Sequence, residues 1–183
     1  ELNNPLAAIL GFAELCRESE NPEDIQRNVE VIEREARRTA HIVENLLSFS
    51  RRRTTKRVST DVHELLERCF GLLAYKFRTN NIVVRRDYDS NLPNVELDEY
   101  QIQQVLMNLI VNAAQAMLQT DLDEPRITAV TRLTPDEKYI AVEIQDNGPG
   151  IPQDKATKVF EPFFTTKGED AGTGLGLPVS LNI

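Results

Sequence analysis

Apolar positions recur along this chain with two different periods, and the places where the period changes divide it into elements. Leu2, Leu6, Ile9, Ala13 and Cys16 are separated by alternating steps of four and three, the seam of a heptad helix with Leu2 at position d and Leu6 at a. Asn21-Pro22 breaks the run. Ile25, Val29, Ile32, Ala36, Thr39, Val43 and Leu46 then resume the same alternation without an internal breaker, over a stretch too long for an ordinary globular helix. Two heptad helices joined by a tight turn predict an antiparallel hairpin. A single hairpin has too little core to bury both seams, so a homodimer is expected, with two hairpins making a four-helix bundle.

The polar run Arg51 to Lys56 reads as the end of the second helix and a linker, which puts a domain boundary between residues 53 and 54. Beyond it, Thr60-Asp61 caps a helix with Leu65, Leu66, Cys69, Phe70, Leu73 and Phe77 on one face. Ile82, Val84 and Tyr88 alternate as a strand, and Val95 with Leu97 marks another. From Gln101 to Met117 an amphipathic helix buries Ile102, Val105, Leu106, Leu109, Ile110, Ala113 and Met117. Arg126 to Leu133 and Lys138 to Asp146 are two strands joined by the turn Thr134-Pro135-Asp136-Glu137. Helices and mostly antiparallel strands in this order predict an α+β chain: the hairpin first, then an α/β sandwich over residues 54–183 with its sheet covered on one face. Such a sandwich should need more strands than can be found, so it is expected to be incomplete at its C-terminal end.

Composition narrows the function. Of 183 residues, 21 are basic and 29 acidic, and the net charge of −8 argues against nucleic acid or an anionic membrane surface as main partner. Cys16 and Cys69 lie far apart without metal or redox spacing and read as buried free thiols in a reducing, cytoplasmic setting. No run approaches a membrane span, so any membrane attachment is expected from other parts of a longer parent protein.

Three stretches carry candidate chemistry. On the polar side of the helix Gln101 to Met117, Gln104, Asn108, Asn112 and Gln115 succeed one another at helical steps. Uncharged oxygen donors in a row suit a hard cation shared with phosphates, though a core helix with a polar back fits the pattern equally well. The strand ending at Asp146 runs into Asn147-Gly148-Pro149-Gly150. A strand-end carboxylate followed by glycines can accept a hydrogen bond from an exocyclic amine such as that of adenine, and the same cluster also serves as a plain turn. Gly172-Thr173-Gly174-Leu175-Gly176-Leu177 precedes a helix containing Pro178, where successive N–H groups can face an anion.

Taken in order, Asn108 and Asn112, DNGPGI, FEPFFTTK from Phe160 to Lys167, and GTGLGL resemble the N, G1, F and G2 boxes of sensor histidine kinases, and Glu1-Leu2-Asn3-Asn4-Pro5-Leu6 resembles the end of that family's H box. The resemblance implies a dimerisation and phosphotransfer hairpin followed by an ATP-binding domain of the Bergerat type. It implies ATP and Mg²⁺ as cofactors, the receiver domain of a response regulator as partner, and a phosphoacceptor histidine directly before Glu1. In the heptad register that position is b and Asn4 is f, one turn apart on the outward face. By resemblance Glu1 takes the imidazole proton, and Asn4 orients water in dephosphorylation of the partner. Pro5 is expected to bend the helix beside them.

The resemblance also assigns Asn112 to Mg²⁺, Asn108 to the phosphate side of the pocket, Asp146 to the adenine amine, and Gly148 and Gly150 to the pocket wall. Gly172, Thr173, Gly174, Leu175 and Gly176 cradle the phosphates, residues 151–171 form a lid, Phe160, Phe163 and Phe164 anchor it, and Lys167 reaches toward phosphate or is simply solvated. Asn108 replaces the glutamate that activates water in gyrase-type ATPases, so slow hydrolysis is expected. His41 and His63 read as plain helix-surface residues. Two rivals remain: an ATPase or serine kinase of the same superfamily, and a dimerisation and docking module that binds nucleotide without transfer.

Overall fold

The computed structural model describes residues 2–50, 56–120, 122–166 and 173–183, without the side chains of His41 and residues 44–50. The chain divides into two compact units, Glu1–Arg52 with Phe163–Leu175, and Arg53–Pro162 with Gly176–Ile183.

In the first unit, α1 (Asn3–Glu18) and α2 (Pro22–Ser50) form the expected hairpin. Pro22 occupies the first helical position, where its missing N–H removes no ladder bond, and the Asn21 side chain caps the helix by accepting from Glu23 N–H at 3.1 Å. Across the turn, the Cys16 thiol lies 3.7 Å from the Ile25 carbonyl. That thiol is only half-buried, a correction to its reading as a core residue. Pro5 falls in the first turn of α1, among the positions whose N–H groups have no intrahelical acceptor, and α1 runs on unbroken to Glu18. Leu6, Leu10, Leu15, Val29 and Val43 stay exposed along this hairpin.

In the second unit, β1 (Val58–Thr60) pairs antiparallel with β3 (Val95–Leu97), and each strand leads into a capped helix. Asp61 caps α3 (Val62–Thr79) by accepting from His63 N–H at 2.7 Å and Glu64 N–H at 3.3 Å. Asp98 caps α4 (Glu99–Met117) through Tyr100 and Gln101 N–H at 3.1 and 3.2 Å. A second sheet has the order β2 (Val83–Tyr88), β4 (Arg126–Leu133), β5 (Ile140–Asp146). The hairpin β4–β5 is antiparallel as expected, whereas β2 runs parallel to β4, because the whole of α4 lies between them in sequence and returns the chain to the same end. The sequence reading missed β1, whose three residues also resemble a helix-capping segment.

The period-two alternation of β4 puts Ile127, Ala129 and Thr131 on one fully buried face. Leu65, Leu66, Cys69, Phe70 and Phe77 of α3 and Leu106, Ile110, Ala113, Ala114 and Met117 of α4 complete this core, which covers the sheet from one side. A short 3₁₀ turn (Lys158–Phe160) and α5 (Gly176–Asn182) follow.

Candidate functional site

The polar side of α4 is where the site residues of the second unit meet. The Asn108 Nδ2 group donates to the Gly176 carbonyl at 3.1 Å and lies 3.2 Å from Ser180 Oγ, while Ser180 Oγ donates to the same carbonyl at 2.9 Å. These bonds tie the first turn of α5 to the middle of α4. A carboxylate at position 108 could not donate here, which gives the amide a role independent of any ligand. Gly176 is open to this approach, since a Cβ there would sit 3.6 Å from the Asn108 carboxamide carbon.

One turn further along α4 comes the half-buried Asn112, and another turn on Ala116 and Met117 meet the strand end. Asp146 closes β5, and its Oδ1 accepts from Gly148 N–H at 2.8 Å, which orients the exposed carboxylate. A Cβ on Gly148 would fall 2.7 Å from that oxygen and 3.5 Å from both Ala116 and Met117 side chains. Gly148 is therefore needed to keep the carboxylate in place as much as to pass the helix. Asn147 locks the turn from the other side, its Oδ1 accepting from Arg126 N–H at 2.8 Å and its Nδ2 donating to the Glu124 carbonyl at 2.9 Å. Sequence reasoning passed over Asn147, though an Asn in the first position after a strand is a recognised backbone-bonding residue. Gly150 has φ +73° and open space around it, so it serves backbone conformation there.

The structure thus strings three features along one helix: a glycine turn at Asn108, a carboxamide at Asn112, and a carboxylate turn at Ala116. Eight residues of α-helix separate the ends, about 12 Å. Among the described residues no three His, Cys, Asp or Glu side chains converge on a metal site. A cation next to Asn112 would have to share its coordination between that oxygen, phosphate oxygens and water, which is how Mg²⁺ is commonly held.

In the first unit, Phe163 N–H donates to the Gly174 carbonyl at 3.0 Å, and both residues have positive φ, +67° and +64°. Leu175 is buried and Thr173 half-buried. Phe160 and Phe163 are exposed and Phe164 is half-buried. Asn4 is exposed on α1, as its heptad position requires. Glu1, Lys167 and Gly172 lie outside the described residues, as does the side chain of His41.

His63 is a second correction. Its Nε2 lies 2.9 Å from the hydroxyl of fully buried Thr131, and its ring stacks on Tyr88 with centroids 4.6 Å apart. Thr131 Oγ1 also accepts from Asp89 N–H at 3.1 Å. Tyr88 OH in turn donates to Glu67, which takes both bonds of the Arg86 guanidinium at 2.6 and 2.8 Å. The guanidinium holds the Glu67 carboxyl below its ordinary value, and burial pushes the Tyr88 phenol up. This cluster joins α3 to β2 and β4 at the sheet end away from Asp146 and is a structural element. The missed signal was Thr131 itself, a hydroxyl on the core phase of a strand that needs a partner.

The class these features define is a two-layer α/β domain of the ATPase type carried in one chain with a helical hairpin. Two family models match: residues 1–55 as a His Kinase A (phospho-acceptor) domain, and residues 97–183 as a histidine kinase-, DNA gyrase B- and HSP90-like ATPase. The sensory histidine kinase/phosphatase NtrB of Vibrio alginolyticus is 31% identical over 100% of this chain and 53% of its own length. The sensor kinase CckA of Brucella abortus is 36% identical over 100% of this chain and 20% of its own. The chain therefore spans about half of one curated relative and a fifth of the other. The crystal structure of histidine kinase ThkA in complex with response regulator protein TrrA superposes with a TM-score of 0.72 at 30% identity, over 90% of this chain and 48% of that one. The nucleotide-free catalytic domain of ThkA gives a TM-score of 0.56 at 33% identity, over 67% of this chain and 77% of that one. The chain belongs to the sensor histidine kinase family.

Proposed function

We propose that this chain is a kinase core that uses Mg-ATP to phosphorylate a histidine directly preceding Glu1, after which the phosphoryl group passes to an aspartate in the receiver domain of a response regulator. The observation that carries this reading is the arrangement along α4, where Asn108 holds the glycine turn of α5 and Gly148 seats the Asp146 turn on Ala116 and Met117. Asp146 accepts the adenine amine, with Gly148 and Gly150 shaping the wall of the pocket. Asn112 supplies one oxygen to Mg²⁺, and N–H groups of the run Gly172, Thr173, Gly174, Leu175 and Gly176 face the phosphates, with Lys167 as an added cation. When bound, the metal neutralises phosphate charge; the chain's own part is to orient the nucleotide and exclude poor geometries, which is most of what phosphoryl transfer needs.

The amide at position 108 separates this reading from an ATPase. An amide is a poor base, so water is not activated, and the γ-phosphoryl awaits a nucleophile on the hairpin. Glu1 is assigned there as the base for the acceptor imidazole. Asn4, exposed on the same outward face, is assigned to orient water for a phosphatase reaction on the regulator. The domain division in this reading is 1–53 for the hairpin and 54–183 for the catalytic domain. The exposed Leu6, Leu10, Leu15, Val29 and Val43 support a homodimer through the hairpin, since two such helices otherwise leave apolar surface in water. No helix among the described residues is long and apolar enough to cross a membrane. A cytoplasmic kinase core is proposed, in a parent protein that is either soluble or membrane-anchored.

Binding of Mg-ATP by calorimetry tests the site. Asn112→Ala abolishes the Mg²⁺-dependent part of the affinity if the assignment holds, while unchanged affinity would sink it.

A further inference from the structure

Phe163 is exposed, yet its backbone sits in the left-handed region at φ +67°, where an L-residue with a bulky side chain is strained. Such strain persists only where neighbouring structure over-determines it, and it collects at ligand clamps. The neighbour here is Gly174. Its carbonyl takes the Phe163 N–H at 3.0 Å, and its own φ is +64°. A Cβ on Gly174 would stand 2.4 Å from the Phe163 carbonyl carbon and 2.7 Å from its Cα and O, all backbone atoms that cannot swing away. Two left-handed residues eleven positions apart are therefore clasped backbone to backbone, and the contact is too close for any residue but glycine on one side.

We propose that Phe163 is a positioning residue for the phosphate-binding turn, acting through this backbone clasp on Gly174 and not through its ring. This rests on the nucleotide-site reading above, in which Gly174 N–H belongs to the phosphate cradle. The clasp fixes the φ of Gly174 before nucleotide arrives, so less ordering is left for binding to supply.

The side chain's conformational preference, not its size, should then govern the clasp. Amide hydrogen exchange at residue 163, measured without nucleotide, is expected to slow by about 5–30-fold in Phe163→Gly, the factor corresponding to relief of left-handed strain. Phe163→Asn should slow it by less, and Phe163→Leu and Phe163→Ala should stay near wild type. Mg-ATP affinity should hold or rise in that same order, Gly then Asn then the rest, and Gly174→Ala should weaken it about tenfold or more. If the ring were the anchor, the order would reverse, with Leu best retained and Gly, Asn and Ala all exchanging faster; that result overturns the proposal. Should wild type bind no nucleotide while exchange still follows the glycine-first order, the nucleotide reading fails and the positioning role goes with it. Should nucleotide bind but ignore the order, only the clasp proposal fails.

Discussion

Replacing Asn108 by Asp changes one atom's chemistry at the joint between α4 and α5. In the wild-type protein Nδ2 donates to the Gly176 carbonyl at 3.1 Å and meets Ser180 Oγ at 3.2 Å. Asn108→Ala removes both contacts, but Gly176 O and Ser180 Oγ keep their mutual bond at 2.9 Å, so no acceptor is orphaned. Two neutral bonds at about 0.5–1.5 kcal/mol each, without an unsatisfied partner, give a loss of roughly 1–2 kcal/mol. Asn108→Asp does more harm, because it sets an anionic oxygen against a carbonyl oxygen in a half-buried place, and about 2–3 kcal/mol is expected. Thermal unfolding at pH 7 should drop on the order of 5 °C for Ala and further for Asp. Lowering the pH toward about 4 protonates the new carboxyl, which regains a donor, so the gap between Asp and Ala closes. An Asp variant as stable as wild type at pH 7, or a gap that widens on acidification, would refute the role assigned to this amide.

Three further outcomes follow from the geometry. Gly148→Ala places a Cβ 2.7 Å from Asp146 Oδ1 yet only in ordinary contact with Ala116 and Met117, so calorimetry should show Mg-ATP affinity falling tenfold or more while the melting temperature moves little. Thr131→Val removes the fully buried hydroxyl that serves both His63 and Asp89, and denaturant unfolding should record a loss of about 1–3 kcal/mol. Glu67→Gln keeps one acceptor for Arg86 and turns the other into a donor, so the charged, paired contact is lost. Because the Arg86 guanidinium holds the Glu67 carboxyl below its ordinary value, its stabilisation is fully present above the usual carboxylate range and is lost as pH falls through the lower folded value. With both side chains near half exposed, the variant should cost under about 1 kcal/mol at neutral pH and match wild type in strong acid.

Much of this was legible in the sequence because local chemistry fixed it. Asp61 caps α3 where its spacing to the following apolar run requires, and the strand from Arg126 to Leu133 has the bounds its sequence indicates. The line of amides on α4 was visible too, although the bond from Asn108 to Gly176 spans 68 residues and no local pattern reports it. His63 was misread for the same reason: its partner Thr131 is again 68 residues away, and a helix-surface position says nothing about what the sheet brings over it. The parallel pairing of β2 with β4 escaped because strand direction depends on how α4 carries the chain back. Phe163 carries no sequence signal of strain, since the backbone contact it makes with Gly174 lies eleven residues away and no local pattern reports it.

The central claim is phosphoryl transfer from ATP to a histidine, and the chemical stability of the product decides it. The parent protein, carrying the residue that precedes Glu1, would be incubated with Mg²⁺ and ATP labelled on the γ-phosphate, then divided between acid and alkali. The account predicts label on protein that survives alkali and is lost in acid, as for phosphohistidine. Label stable to acid but lost in alkali, or free phosphate with no labelled protein, would contradict it.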